Sequence, residues 1–501
     1  MKILIIGTED ISTDIATTEL AILFGRTNHG LINDVNFVPT DDGYYHTTVL
    51  DLVPGDIVTI SKYFDLVKML DQPKENYSHY KTFITTVRLM HDLEKKGINV
   101  EYRNNENSKH AVWWREYLQT NKSFCFYPML AIVDNTDFTE LCPKSHVPMS
   151  KVGDIIDWHT EEHYVAVREK MVKGELIPKY CQDCYDREEE GQESTRQFET
   201  YEWANRLGFT EPQEFADAKH PMYYEIRPGN KCNIMCRTCD DQHSHLIEKE
   251  WKTIGIPLNP YKYTKSPFDK VDFTDIKRLY LAGGEPTIMP EVFEFLRNCI
   301  KLDKTDFELE IGTNGMKFSN TLLGLLDHFP NVNFAFSFDG FDKVGDYIRW
   351  GSDFNTVVKN AHLMMERGHK VSLQTVFSIY NGTRMHEIFE FFDREFPKCG
   401  SLVQVASGQE DIFQPTNHPL PELVVESMRR CQETKIYYMN GRSVKSQVDL
   451  LIDLYSDPNY NCNIEQLRKF YEFNDKLDRS RKSQLIDYIP ELANARDLYF
   501  K

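Results

Sequence analysis

Residues 223–240 read YYEIRPGNKCNIMCRTCD, a short apolar-rich run closed by Pro228-Gly229-Asn230 and followed at once by Cys232, Cys236 and Cys239. The run has strand composition, and the Pro-Gly-Asn triplet ends it. A Cys-x3-Cys-x2-Cys spacing lets three sulfurs point into one loop. Thiolates are the usual ligands of iron–sulfur clusters, and three of them can hold three irons of a four-iron, four-sulfur cluster. The fourth iron is then free to bind a small molecule, whereas structural metal sites are coordinatively closed. Taken alone, the spacing would also serve as half of a zinc site.

Downstream, strand and helix signals alternate strictly. Strands are expected at 223–228, 278–282, 308–312, 332–338, 371–378 and 401–406, with amphipathic helices at 290–301, 320–329, 355–368 and 385–396 between them. Six such units joined by short loops predict an α/β fold, a partial (β/α)6 barrel of parallel strands with the helices outside. In folds of this kind function collects at the carboxyl ends of the strands. Every chemical motif falls there. After the second strand comes Gly283-Gly284-Glu285-Pro286, after the third Thr313-Asn314-Gly315, and the fourth ends Ser337-Phe338-Asp339-Gly340. Paired glycines let a backbone approach a ligand closely, and an ionised Glu accepts hydrogen bonds from an ammonium group. Thr313, Asn314, Ser337 and Asp339 offer donors and acceptors for hydroxyls or a carboxylate. Four motifs at successive strand ends move the balance from zinc to a cluster.

The Cys triad, the Gly-Gly-Glu-Pro and the Ser-x-Asp-Gly match, in order and spacing, the radical S-adenosylmethionine (radical SAM) superfamily, which this chain resembles over about 225–410. The resemblance implies that the open iron of the Cys232, Cys236 and Cys239 cluster binds the amino and carboxylate groups of S-adenosylmethionine. Reduction then breaks the sulfonium bond to give methionine and a 5′-deoxyadenosyl radical, which abstracts hydrogen from a substrate. Glu285 would take the methionine ammonium, Gly283, Gly284 and Pro286 would form the surrounding turn, and Ser337 and Arg349 would meet the carboxylate and ribose. An arginine fork suits a carboxylate, although a surface ion pair is an equal reading of Arg349. Thr238 stands where the superfamily often has an aromatic residue near the adenine. His243 and His245 follow at helical spacing and read as a solvated helix face.

A second set of cysteines lies upstream. Cys125 and Cys142 flank the strand-like FYPMLAIVDN, and Cys181 and Cys184 form a Cys-x2-Cys. Four thiols meet the ligand count of a zinc site or of a full iron–sulfur cluster. The segment 124–196, from Phe124-Cys125-Phe126-Tyr127-Pro128 to Ser194-Thr195-Arg196, resembles the SPASM and twitch auxiliary modules, which more often follow the barrel. The resemblance implies an auxiliary four-iron cluster held by Cys125, Cys142, Cys181 and Cys184. Cys299, Cys399, Cys431 and Cys462 read as small buried hydrophobes.

The rest of the chain carries no legible chemistry. Four regions are expected: a small α/β domain over 1–115, built on KILIIG, DIVTIS and INVEYR with a helical stretch at 80–96; the auxiliary module over 120–215; the barrel over 220–410; and a charged helical region over 411–501 that covers the barrel opening or packs on its side. The turn after the first strand, Gly-Thr-Glu-Asp, is not a phosphate loop. In 501 residues with 41% hydrophobic and 27% charged residues, the net charge of −19 argues against non-specific nucleic-acid binding. There is no apolar run long enough to span a bilayer and no signal peptide, so a cytoplasmic location is expected. The function expected is a radical SAM enzyme acting on a peptide or protein side chain and reduced by a donor such as flavodoxin or ferredoxin. A small metabolite or RNA is the alternative substrate, and a non-catalytic metal-stabilised binding protein the alternative class. No residue is nominated as a general base.

Overall fold

A nine-stranded sheet carries the architecture. The computed structural model describes residues 109–135, 138–145, 148–151, 162–189, 193–258, 268, 271–406, 412–439 and 441–500, and six short strands between residues 3 and 103. Two units are separable, Met1–Thr120 and Asn121–Lys501.

In the first unit, β1 (Ile3–Gly7), β2 (Glu19–Leu23), β5 (Ile57–Ser61) and β6 (Asn99–Arg103) form a parallel sheet in the order β2-β1-β5-β6. β3 (Phe37–Pro39) and β4 (Tyr45–Thr47) pair antiparallel apart from it. Three of the four sheet strands are the runs expected from sequence, and ELAIL of β2 is an addition. The helical stretch expected at 80–96 and the Gly-Thr-Glu-Asp turn lie outside the described residues.

In the second unit the six expected strands appear as β10 (Tyr223–Arg227), β11 (Arg278–Leu281), β12 (Glu308–Thr313), β13 (Val332–Ser337), β14 (Lys370–Phe377) and β15 (Gly400–Val405), each parallel to the next. Strand β14 displays the period of two that made it legible: Val371, Leu373, Thr375 and Phe377 are buried against the helices, while Ser372, Gln374 and Val376 are only partly covered. The outer helices include Pro290–Lys301, Asn320–Leu326, Phe354–Glu366 and Met385–Glu395. Pro290 at the first position, Glu291 in the first turn and Lys301 in the last suit the helix termini.

The sheet has seven parallel strands rather than six. β7 (Ala131–Asn135) lies alongside β10 in parallel, Ala131 opposite Tyr223 and Asn135 opposite Arg227. The antiparallel strands β8 (Phe138–Glu140) and β9 (Pro148–Lys151) continue the sheet beyond it. The stretch FYPMLAIVDN is therefore half helix, Phe126–Leu130, and half strand.

The upstream segments are joined by one arginine. Arg196 sends its fork to Glu188 at 2.9 and 2.8 Å and also donates to the carbonyls of Asn121 and Phe124 at 3.0 and 2.9 Å. Both side chains are buried, 1% and 4% exposed. Beyond the barrel, the helix Ile464–Arg481 and the segment after it pack Leu467, Phe470, Tyr471, Leu485 and Leu492 onto Tyr347, Ile348, Ile379 and Tyr380. Those four follow β13 and β14, so this region lies against the rim at the carboxyl ends, while the helix Gly441–Ser456 lies beside β15. Among the described residues no helix is long and apolar enough to cross a membrane.

Removing one partner of a buried ion pair leaves an uncompensated charge and costs about 3–5 kcal/mol. Glu188→Ala is expected to lower unfolding free energy by about that amount, read as the shift of the urea transition; a shift under about 1 kcal/mol would contradict the joining role.

Candidate active site

One cavity of about 1030 Å³ opens at the carboxyl ends of the strands and is lined by Cys232, Cys236 and Cys239 after β10 together with residues from the ends of β11 to β15. Gly283 and Gly284 come after β11, Thr313 and Asn314 from the end of β12, Ser337 and Asp339 from β13, Gln374 and Val376 from β14, and Gln404 from β15. Its volume is at the upper end of small-molecule sites.

The cysteine loop is held by backbone contacts on two sides. On one, the Glu285 N–H donates to the Lys231 carbonyl at 2.8 Å, and the His245 N–H donates to the Asn230 carbonyl at 2.8 Å. On the other, the N–H groups of Met235 and Arg237 donate to the carbonyls of Trp350 and Ile348 at 2.8 and 2.7 Å. Gly284 makes the first contact possible: a Cβ there would stand 2.5 Å from the Lys231 carbonyl oxygen. Gly283 has φ +77, a left-handed conformation that side chains disfavour.

Glu285 is fully buried, and neither it nor Pro286, the first residue of the turn Pro286–Ile288, lines the cavity. Its carboxylate accepts from the hydroxyls of Thr287 and Thr313 at 2.6 and 2.8 Å and from the Asn314 N–H at 2.6 Å. Burial pushes its pKa up and these donors pull it back, leaving it above the usual value. Through these donors Glu285 ties the turn after β11 to the turn after β12. Asn314, so placed, donates to Asn233 at 2.8 Å and lies 3.8 Å from the Cys232 sulfur.

Arg349 is a cavity residue and not a surface one. Its guanidinium donates to Asp339 at 2.7 Å, and the pair is 13% and 3% exposed. Asp339 is positioned in turn by the Val376 N–H at 2.9 Å. Burial acts to lower the arginine's pKa, but Cys236, Asp339 and Cys232 around it hold it above the ordinary value. The reciprocal effect appears at the thiols. Burial pushes Cys232 up to about 12, with Cys236 adding to it and Arg349 opposing, and Cys236 is likewise raised by burial against the pull of Arg349. Burial and Asp240 raise Cys239 well above its usual range. A cation facing Cys232 and the partly buried Cys236 favours their thiolate forms, the forms that bind metal. Three thiols on one loop, a facing cation and a cavity beside them fit a three-cysteine cluster and a ligand on its open iron.

Sequence reading missed other members of this site. Tyr280, Gln374 and Gln404 line its depth, and nothing but the strand period marks them. His243 lines the cavity with its ring 2.7 Å from Asp240. His245 is solvent-exposed as expected, yet its Nδ1 accepts from the Cys232 N–H at 3.2 Å.

All four upstream cysteines line one second, enclosed cavity. Cys125 precedes the helix Phe126–Leu130, Cys142 follows β8, and Cys181 and Cys184 stand one turn apart on the helix Pro178–Glu189. Burial raises the pKa of Cys125, and each of the other three sulfurs pushes it further. The space they enclose is about 20 Å³ as it stands, so an iron–sulfur core would part them. Among the described residues no three or more His, Cys, Asp or Glu side chains converge on a single-ion point. Cubane ligands go to separate irons and need no such convergence. Cys125 precedes β7 and Cys142 follows its antiparallel partner, which puts this set at the amino ends of the parallel strands. The two cysteine sites are thus at opposite ends of the sheet, a strand's length of roughly 15 Å or more apart. Cys299, Cys399 and Cys431 are buried, and Cys462 is partly so.

Residues 226–392 match the family model of the Radical SAM superfamily. No curated protein matches the chain. Among solved structures, anSMEcpe with bound AdoMet is 14% identical over 42% of this chain and 60% of that one, with a TM-score of 0.31. SuiB from Streptococcus suis bound to S-adenosylmethionine is 16% identical over 53% of this chain and 59% of its own, TM-score 0.29. SuiB bound to the precursor peptide SuiA is 14% identical over 64% and 67%, TM-score 0.28. The chain covers less than two thirds of the first two.

Gly284→Ala forces a Cβ against a backbone carbonyl, an overpacking that costs about 1–3 kcal/mol. Iron held against a chelator after anaerobic reconstitution is expected to fall roughly tenfold or more. Gly324→Ala, which meets nothing within 4 Å, is the matched control and should retain iron fully.

Proposed function

We propose that this protein is a radical SAM enzyme that abstracts hydrogen from a peptide or protein side chain. The observation that carries the proposal is the convergence of Cys232, Cys236 and Cys239 with the ends of all the later barrel strands on one cavity. When bound and reduced, a four-iron cluster on those thiolates supplies the electron that splits S-adenosylmethionine into methionine and the 5′-deoxyadenosyl radical.

The chain's own residues bind and orient. Arg349, oriented by Asp339, presents its guanidinium beside the cysteines, where a methionine carboxylate would complete its fork. Ser337, Thr313 and Asn314 offer hydroxyl and amide groups to the ribose, and the peptide groups of Gly283 and Gly284 form the wall nearest the loop. Glu285 acts here as the brace of that wall. Gln242, Gln374 and Gln404, beside the apolar Trp251 and Leu258, supply donors and acceptors suited to a peptide main chain. Cys125, Cys142, Cys181 and Cys184 hold an auxiliary cluster. Its placement at the far end of the strands favours electron relay from a flavodoxin or ferredoxin, or a structural part, over direct contact with substrate.

Cys236→Ala is expected to abolish 5′-deoxyadenosine release from dithionite-reduced, reconstituted protein while the far-ultraviolet circular dichroism is kept. Continued release from that variant would reject the proposal. Cys181→Ala should lower iron and sulfide per chain but leave the electron paramagnetic resonance change induced by S-adenosylmethionine in place. Equal iron in variant and parent would remove the auxiliary cluster from the account.

A further inference from the structure

The helix Ile464–Arg481, in the C-terminal region and without a sequence motif, reaches the cysteine loop through a largely buried charge network. Arg237, between Cys236 and Cys239, is 1% exposed and turns away from the cavity. Its guanidinium lies over the Tyr347 ring, 3.6 Å from the centroid, with Nε donating to the Tyr347 carbonyl at 2.9 Å. The two terminal nitrogens donate to Asn474 at 3.1 Å, Asp478 at 2.6 Å and Ser483 at 2.8 Å. Asp478 is itself saturated, accepting from the Tyr347 hydroxyl at 3.0 Å, Ser483 at 2.8 Å and the Leu485 N–H at 2.9 Å. A second contact runs the other way: Arg481 of this helix forks onto Glu250 at 3.0 and 2.6 Å, on the helix His245–Ile254 that follows the loop. Trp251 and Leu477 close the space between the two helices in one apolar cluster, with Met235 and Cys239 packed against it.

We propose that the helix Ile464–Arg481 is a clamp on the cluster loop, with Asp478 as the positioning residue that, through Arg237, sets the Cys236–Cys239 turn and the neighbouring Tyr347–Arg349 segment. The physical ground is geometric. The turn between Cys236 and Cys239 contains two residues, and one of them is anchored outside the loop by a planar fork that tolerates little rotation. Because Arg237 also bonds the Tyr347 carbonyl, the same anchor holds the segment that delivers Arg349 to the cavity. The 411–501 region thereby becomes part of the site without touching ligand. This inference rests on the proposed function only where iron is concerned; the clamp itself is a property of the iron-free chain.

The test uses the full chain with Asp478→Asn, and Glu472→Gln on the exposed side of the same helix as control. In iron-free protein, hydrogen exchange across residues 232–240 is expected to quicken about tenfold or more in Asp478→Asn, corresponding to about 1.4 kcal/mol of lost loop stability. It should be unchanged in the control, with exchange across 290–301 unaltered in both. After anaerobic reconstitution, Asp478→Asn should lose iron to a chelator faster and show an altered resonance on adding S-adenosylmethionine. Unaltered exchange across 232–240 in Asp478→Asn overturns the clamp whatever iron does. Parent protein lacking any resonance response to S-adenosylmethionine overturns the radical SAM reading and leaves the exchange result to decide the clamp. Should Asp478→Asn fail to fold, Ser483→Ala, which removes one donor, is read the same way.

Discussion

Parallel pairing from β7 through β10 to β15 is the constraint on which the site depends. A parallel neighbour cannot be reached by a hairpin, so from β10 to β14 the chain crosses back outside the sheet after each strand and always leaves at the same end. Segments distant in sequence are thereby delivered to one rim. A rim of loops has no ladder of its own, and its backbone groups must find partners one by one. Here they do so across the loops: the Glu285 N–H on Lys231, the Glu285 carboxylate on the next turn, Asp339 on Val376, and the loop amides on Ile348 and Trp350.

Buried and nearly buried carboxylates recur as the fasteners. Glu285, Asp339 and Asp478 each lie in or beside the rim, and each is met by several donors; Glu188 does the same work at the other end. A charge taken out of water is costly unless it is paired and hydrogen-bonded, and satisfied networks of this kind favour a single arrangement of their parts. The two cysteine sites then differ in character. One faces a roomy cavity with a cation beside the thiols; the other is closed around its sulfurs beneath the opposite end of the strands.

Much of this was legible where a local rule operates. The strands β10 to β15 and the helices between them follow from periods of two and of about four, and the three cysteines, the glycine pair and Ser337-Phe338-Asp339 follow from their position just after strands. FYPMLAIVDN misleads because a short apolar run reads alike as helix or strand. The pairing of β7 with β10 depends on contacts across a long insertion, for which no period exists. Glu285 was legible as a hydrogen-bond acceptor but its partners Thr287, Thr313 and Asn314 were not, since its type says that it accepts hydrogen bonds but not from whom.

The chain, read alone, determined the α/β repeat, the cysteine triad and its place after the first barrel strand, because each is written in neighbouring residues. Tertiary structure alone decided that Arg349 pairs with Asp339 beside the thiols, that four upstream cysteines meet below the sheet, and that Arg237 is anchored by Asp478. Those partners are separated by tens to hundreds of residues, and only the closed fold, in which buried charges must find counter-charges, brings them within hydrogen-bond reach.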